Sequence, residues 1–446
     1  RMCDRVGVLY AGELVEEGPA RAVFNNPRHP YTAGLLRCLP DTGLRKDESR
    51  LETIPGFPPP PGAGTIGCIF VPRCPIATDR CRIEAPPMID LRGRSTRCHY
   101  PDRAAELSIK ASPSPGKDRL GLADPTTPPE KEPILRAVNL SKTFTASGKS
   151  LRALNDISLD LRPGETLGIV GESGSGKSTL ARLLVGLTAP DTGGSVAIGG
   201  EPVAADVRRR SKAQLKSLQM IFQNPAAALN RSQPVRRLIG RALRLTGLSG
   251  IAREDRLRAL VSDVRLTEGT LDDRPGRLSG GMQQRVAIAR AFAGEPAIIV
   301  CDEPTSALDV SVQATILNLL ADLQAERKVS YIFISHDLDV VHYLADRIAV
   351  LYLGRLVEIG PTDAIFTGPR HPYTEALLSA GSDNHIHLTG DIPSPTDLPS
   401  GCVFQTRCPR KIGRICEEQE PELLDAGNGH AIRCHIRADE LRDGRS

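Results

Sequence analysis

The stretch Gly171-Glu-Ser-Gly-Ser-Gly-Lys-Ser-Thr179 decides the fold. It satisfies G-x-x-x-x-G-K-[ST] through Gly171, Gly176, Lys177 and Ser178. The preceding Glu165-Thr-Leu-Gly-Ile-Val170 reads as a buried strand and residues 178–187 carry apolar side chains at helical spacing, so the glycines fall in the turn between them. Glycine lets a backbone approach phosphate closely and take positive φ, which turns successive N–H groups and a helix N-terminus towards an anion. Lys177 then reaches the β and γ phosphates, and Ser178 is the ligand for Mg²⁺.

At 446 residues the chain has room for two or more domains. Its net charge of +4 on 57 basic and 53 acidic residues, with no long basic run, gives no arm for nucleic acid. No apolar run reaches the 18 residues of a membrane-spanning helix, and the first residues lack the order of a signal peptide. This composition predicts a cytosolic chain, or one held at a membrane by a partner. Eleven cysteines without a secretion signal point to metal ligation or buried thiols rather than disulfides.

The chain repeats itself. Asp4-Arg-Val-Gly-Val-Leu-Tyr-Ala-Gly12 aligns without a gap on Asp346-Arg-Ile-Ala-Val-Leu-Tyr-Leu-Gly354, and Pro27-Arg-His-Pro-Tyr-Thr32 on Pro369-Arg-His-Pro-Tyr-Thr374. Further on, Gly67-Cys-Ile-Phe-Val-Pro-Arg-Cys-Pro75 matches Gly401-Cys-Val-Phe-Gln-Thr-Arg-Cys-Pro409, and Arg97-Cys-His99 matches Arg433-Cys-His435. So long a period is a domain duplication and not a solenoid. The second copy needs everything from about residue 132, so the first copy is expected to be a truncated domain, and the missing initial Met agrees. The organisation expected is a remnant at 1–40, its cysteine-rich extension at 41–110, a Pro/Ser/Thr-rich linker at 111–132, a complete domain at 133–380 and a second extension at 381–446. The remnant should hold a last strand, a turn at Ala11-Gly12 and a helix starting at Pro30. In the second copy, β-rich segments at 135–144 and 151–161 lead to the phosphate loop, residues 235–274 read as an inserted helical subdomain, and 297–302 and 329–335 read as central parallel strands.

The run Ala297-Ile-Ile-Val-Cys-Asp-Glu303 ends in two carboxylates that alternation sends to different faces. Asp302 suits the metal, and Glu303 suits the base or water-orienting group for attack on the γ-phosphate. Leu278-Ser-Gly-Gly-Met-Gln-Gln-Arg285 supplies a second anion site, with Ser279 and the N–H groups of Gly280 and Gly281 at the start of a helix. On these motifs the chain resembles the nucleotide-binding subunit of an ATP-binding cassette transporter. The resemblance implies a P-loop NTPase α/β fold with an inserted helical subdomain and a β-rich nucleotide-binding edge, followed by cysteine-rich extensions. It implies ATP contacts at Phe144, Gly171, Ser173, Gly174, Ser175, Gly176, Lys177, Ser178, Thr179 and Gln223, with magnesium at Ser178, Gln223 and Asp302. Lys177, Glu303 and His336 become the catalytic residues, the last as the switch histidine, and Phe144 stacks on adenine in place of the commoner tyrosine. Ser279, Gly280, Gly281 and Gln283 become the signature that covers ATP held by a partner domain, with Met282 where glutamine is commoner and Asp309 in the D-loop.

Such domains pair head to tail, so one complete set needs a second nucleotide-binding domain, either a missing first half or another copy. The resemblance to peptide importers extends to the two His-Pro-Tyr runs and the cysteine extensions. It implies ATP-driven import of dipeptides or oligopeptides by a peripheral ATPase on the cytoplasmic face, with two permease subunits and an extracytoplasmic substrate-binding protein. Nickel chelate, glutathione or haem are the alternative cargoes. A soluble cassette ATPase of translation or DNA repair, and a non-catalytic interaction or redox module, are the rival classes. Four cysteines per copy (Cys68, Cys74, Cys81 and Cys98; Cys402, Cys408, Cys416 and Cys434) are a full ligand set for a [4Fe-4S] cluster, with zinc as the alternative. Cys3, Cys38 and Cys301 read as small buried residues.

Overall fold

The computed structural model describes residues 3–40, 43–56, 59, 66–107, 132–146, 148–380 and 386–443. The linker expected at 111–132 lies, apart from Glu132, outside the described residues. The chain divides into two compact units, residues 1–119 with 308–318, and residues 120–307 with 319–446.

In the first unit β1 (Arg5–Tyr10), β2 (Glu13–Pro19), β3 (Ile89–Asp90) and β4 (Ser95–Thr96) form an antiparallel sheet in the order β1-β2-β4-β3. The β1–β2 turn places Ala11 at φ 48° and Gly12 at φ 90°, the left-handed pair that a tight hairpin demands. The helix Pro30–Arg37 starts where proline suits the first turn, and the side chain of His29 caps it by accepting from the Tyr31 N–H. Glu16 lies buried on β2 and accepts from the N–H groups of Arg28 (2.7 Å) and His29 (3.0 Å). Tyr10, Tyr31 and Phe70 form an aromatic trio with centroids 4.6 to 5.5 Å apart, edge to face between Tyr10 and Phe70 and tilted in the other two pairs.

The second unit holds β5 (Leu135–Ala146), β6 (Lys149–Leu161), β7 (Thr166–Val170), β8 (Ser195–Ile198), β9 (Glu201–Pro202), β10 (Leu218–Ile221), β11 (Ile298–Asp302), β12 (Ser330–Ile334), β13 (Arg347–Tyr352), β14 (Arg355–Pro361), β15 (Leu423–Gly427) and β16 (His430–Arg433). Its main sheet has the order β10-β11-β12-β7-β13-β14-β16-β15, parallel from β10 to β13 and antiparallel beyond. An antiparallel sheet, β6-β5-β8-β9, forms the β-rich edge. Every residue of β7, β11 and β12 is buried, as their unbroken apolar runs require of central parallel strands. Between β10 and β11 the chain is helical, at Val235–Ala242, Gly250–Asp263 and Gly280–Phe292. The second extension continues the main sheet, because β16 pairs with β14 at Ile432↔Glu358 and Ala431↔Ile359.

The repeat seen in the sequence recurs in three dimensions. Tyr352, Tyr373 and Phe404 reproduce the aromatic trio with centroids 4.6 to 5.4 Å apart, and buried Glu358 accepts from the His371 N–H at 3.0 Å as Glu16 does from His29. In the first unit β1 is an edge strand, with Leu9 exposed, whereas its counterpart β13 lies between β7 and β14 and is buried from Ile348 to Tyr352.

Packing fixes the rim on which function sits. Leu180, Ala181, Leu183 and Leu184 of the helix Lys177–Leu184 are buried in the main core, at about 1.5–3 kcal/mol for each large side chain. Gly168 lets the helix Leu338–Leu344 press onto β7, since a Cβ there would lie 2.5 Å from Val341 Cγ1. Register pairs Ile221 with Cys301, Asp302 with Ile334, and Ile334 with Ile169, so the segments leaving β7, β10, β11 and β12 all emerge at one edge of the sheet. Open α/β sheets place ligands beyond the carboxyl ends of their strands.

Candidate nucleotide site

Residues 171–179 leave β7 at that edge. Gly171 has φ 151°, and a Cβ would meet Leu351 O at 2.2 Å, so any side chain would push the loop off β13. Gly176, at φ 101°, is the N-cap of the helix, and a Cβ there would lie 2.5 Å from Ala153 O. Ser175 is buried, with its carbonyl accepting from Gly354 N–H, while Ser173 and Gly174 are exposed at the loop's tip. Buried Lys177 folds its Nζ back onto the carbonyls of Gly171 (2.7 Å) and Glu172 (2.9 Å). Burial pushes the Lys177 pKa down, while the charges of Glu303, Asp302 and Glu172 oppose the shift. An ammonium held by neutral carbonyls is ready to exchange them for phosphate oxygens.

The two carboxylates at the end of β11 turn apart. Asp302, nearly buried, accepts from Ser178 Oγ at 3.0 Å. Burial raises its pKa, against the Ser178 hydrogen bond and the charges of Arg182 and Lys177. Glu303 takes φ 44°, and its N–H donates to Ile334 O, which ties the turn to β12. A left-handed glutamate costs on the order of 1 kcal/mol or more, and such outliers gather at working sites. Its Oε2 accepts from Gln223 Nε2 at 3.0 Å and lies 3.3 Å from His336 Nδ1. The structure thus brings together the loop, Ser178, Asp302, Glu303, Gln223 and His336, which come from the ends of four strands. Ser178 and Asp302 are a hard-oxygen pair that fits Mg²⁺, and Gln223 stands against the neighbouring Glu303.

Other site residues stand apart. Phe144 is exposed on β5 with Lys142 Nζ 5.6 Å from its ring centroid. Ser279 caps the helix Gly280–Phe292 by accepting from Met282 N–H, and Ser279 and Gly280 face solvent. Gln283 is turned inwards, its amide donating to Pro275 O and Leu278 O at 3.0 Å each. Asp309 caps the helix Val310–Arg327 through Val312 N–H and Ser311 Oγ.

Sequence reasoning missed a brace on the loop. Glu172 N–H donates to Tyr373 Oη at 2.8 Å, and the Glu172 carboxylate receives the Arg407 guanidinium at 2.9 and 3.4 Å. One signal was available, because an arginine, Arg73 or Arg407, directly precedes the second cysteine in each copy.

Among the described residues no group of three or more His, Cys, Asp or Glu side chains is drawn together as a metal ion requires. All eleven cysteines are free thiols. Burial pushes Cys74 and Cys408 up to about 12, so a metal bound there would have to displace their protons. The four thiols of the first copy do line one pocket, with His29, Phe70 and Tyr100. In both copies the first cysteine's N–H donates to the third's carbonyl at 2.8 Å, Cys68 to Cys81 and Cys402 to Cys416. Cys38 and Cys301 are buried, but Cys3 is exposed because it precedes β1 and has no sheet to cover it.

A strand-loop-helix phosphate cradle beside a strand-end carboxylate pair, on a parallel sheet, defines a P-loop nucleoside triphosphatase. A family model described as ABC transporter matches residues 154–306, and one described as oligopeptide/dipeptide transporter, C-terminal region, matches residues 15–81 and 357–416. The chain is 42% identical over 318 residues to the dipeptide transport ATP-binding protein DppF of Escherichia coli, covering 68% of this chain and 94% of that one. It is 39% identical over 391 residues to the oligopeptide transport ATP-binding protein OppD of Mycobacterium tuberculosis, covering 84% of this chain and 62% of that one. A solved dimeric ATP-binding cassette in a post-hydrolysis state with ADP and Pi is 30% identical, covers 51% of this chain and 99% of its own, and superposes with a TM-score of 0.46. The chain belongs to the ABC transporter family, as an ATP-binding subunit, and is an ATPase. No helix among the described residues is long and apolar enough to cross a membrane.

Proposed function

We propose that this chain hydrolyses ATP to drive import of dipeptides or oligopeptides through a separate permease. The observation that carries the reading is Glu303, whose carboxylate touches Gln223 and His336 while Asp302 holds Ser178. Lys177 leaves its two loop carbonyls for the β and γ phosphates, and Phe144 offers a face to adenine. Ser178, Asp302 and Gln223 would hold Mg²⁺, which would supply charge neutralisation of the phosphates. Glu303 takes the proton of the attacking water, and Gln223 and His336 fix its orientation. Support for peptide as cargo comes from the C-terminal region model and from the peptide-transport names of the relatives.

The partners in this reading are two permease subunits on the cytoplasmic face, an extracytoplasmic substrate-binding protein and a second nucleotide-binding domain. Exposed Ser279 and Gly280 suit a surface that closes over ATP on that second domain. The C-terminal region model matches twice, which supports reading the first unit as the tail of a tandem copy. The two cysteine sets are assigned as [4Fe-4S] ligands, with zinc as the alternative, on their count of four soft donors each and the shared pocket of the first. Iron, zinc and sulfide per chain, measured on anaerobically purified protein, test that assignment.

The test of the main reading is ATP hydrolysis by the chain purified with its permease and binding protein. A dipeptide or oligopeptide is expected to stimulate phosphate release several-fold. Stimulation by nickel chelate, glutathione or haem instead would replace the cargo, and hydrolysis that co-purifies with no membrane subunit would favour a soluble cassette ATPase.

A further inference from the structure

We infer that the cysteine-bearing extension positions the phosphate loop, through Arg407 and Tyr373, and so sets the affinity for ATP. The inference rests on the nucleotide-site reading above and adds two residues to it. Gly171 C=O and Glu172 N–H belong to one planar, trans peptide unit and point in opposite directions. Tyr373 Oη receives that N–H at 2.8 Å, and on the other side Lys177 Nζ is held by the Gly171 carbonyl at 2.7 Å. Anchoring the N–H therefore aims the carbonyl, and the carbonyl aims the lysine.

Arg407 secures the side chain of the same residue. Its guanidinium meets both carboxylate oxygens of Glu172, at 2.9 and 3.4 Å, and also donates to Tyr352 Oη at 3.4 Å. The arginine side chain is 9% exposed, so the pair is shielded from solvent on that side and the fork holds more firmly than a surface bridge. Arg407 directly precedes Cys408, which ties the loop to the extension across one peptide bond.

The first copy provides an internal comparison. Arg73, at the equivalent place before Cys74, donates to Pro55 O (2.9 Å) and Ile54 O (3.2 Å). Tyr10, the counterpart of Tyr352, leaves its buried hydroxyl without a hydrogen-bond partner among the described residues. In the second unit the same pair of residues is joined, and the arginine also meets Glu172 of the phosphate loop.

The experiment is ATP affinity and steady-state hydrolysis in the transporter complex for wild type, Arg407→Met, Arg407→Lys, Glu172→Gln, Tyr373→Phe and the exchange Glu172→Arg with Arg407→Glu. Arg73→Met is the control. Losing the fork should raise Kd and KM for ATP about tenfold, with kcat at saturating ATP within about twofold, and lysine should restore only part, since it lacks the planar fork. The exchange should recover most of the loss, and Arg73→Met should leave both constants unchanged. If Arg407→Met and Glu172→Gln keep ATP affinity within twofold of wild type, or lower only the melting temperature, the inference is wrong and the contact merely seats the extension. Wild-type complex that binds no ATP would instead overturn the nucleotide-site reading. Should Arg407→Met fail to fold, Glu172→Gln and Tyr373→Phe decide alone.

Discussion

Replacing Glu303 by glutamine changes one group and little geometry. Gln223 Nε2 (3.0 Å) and His336 Nδ1 (3.3 Å) both lie against the same atom, Glu303 Oε2, so the amide keeps its oxygen there to accept from Gln223 and the new NH₂ takes the place of Oε1. What disappears is the negative charge and the ability to take a proton from water. General-base catalysis contributes about 10²–10⁴-fold, which is about 3–5 kcal/mol of barrier. ATP should bind as well as before or more tightly, because Lys177, Ser178 and Asp302 are untouched and a like charge near the γ-phosphate is gone. Phosphate release under single-turnover conditions and filter binding of ATP, both on the intact complex, measure the two sides. A variant that hydrolysed ATP within tenfold of wild type, or that lost ATP affinity in proportion to rate, would refute the assignment of Glu303 as the base.

Three further outcomes follow from the same geometry. Burial raises the Asp302 pKa, so the folded nucleotide-free protein holds this proton to higher pH than the unfolded chain does. The stability this group gives is complete below the unfolded value of about 4 and is lost as pH rises through the folded one. Asp302→Asn should therefore raise the melting temperature at pH 7, with the gain shrinking towards pH 4, while Mg²⁺-dependent ATP binding falls at least tenfold; no gain at pH 7 would contradict the argument. Burial also lowers His371 to about 3, so the unfolded chain binds a proton that the folded one refuses. Stability then falls as pH drops below about 6.5, by up to about 1.4 kcal/mol per pH unit, and His371→Asn, which keeps an acceptor for Tyr373 N–H, should flatten that slope in melting curves between pH 4 and 7. Phe144→Ala removes an exposed ring that lies on no core; ATP affinity should fall about tenfold, in the range of base–aromatic stacking, without a change in melting temperature.

Much of the site was legible because its chemistry is local. Residues 171–179, the Asp302-Glu303 pair and Ser279-Gly-Gly281 each carry a complete instruction within a few residues: a turn, a strand end, a helix cap. Parallel strands read as apolar runs because both their faces are covered, and β7, β11 and β12 are buried throughout. What the sequence hid is long-range. Arg407 and Glu172 are 235 residues apart, and nothing near either announces the other. Likewise, buried Glu358 receives His430 Nε2 at 2.7 Å from β16, a pairing that exists only because the extension joins the main sheet. Cysteine spacing supplies a ligand count but not the distances between sulfurs, which depend on protonation and on how the pocket closes. Duplication was readable from identity alone, yet the different surroundings of β1 and β13 were not, since both strands carry nearly the same residues.

The central claim is that Glu303-dependent hydrolysis powers peptide import. Its most direct test is uptake of a labelled short peptide into proteoliposomes holding the permease, with ATP enclosed on the side of this chain and binding protein outside. Uptake should require ATP, occur with wild-type chain and vanish with Glu303→Gln even though that variant still binds ATP. Peptide accumulation that persisted with Glu303→Gln, or wild-type chain that hydrolysed ATP in the complex without moving any peptide, would contradict it.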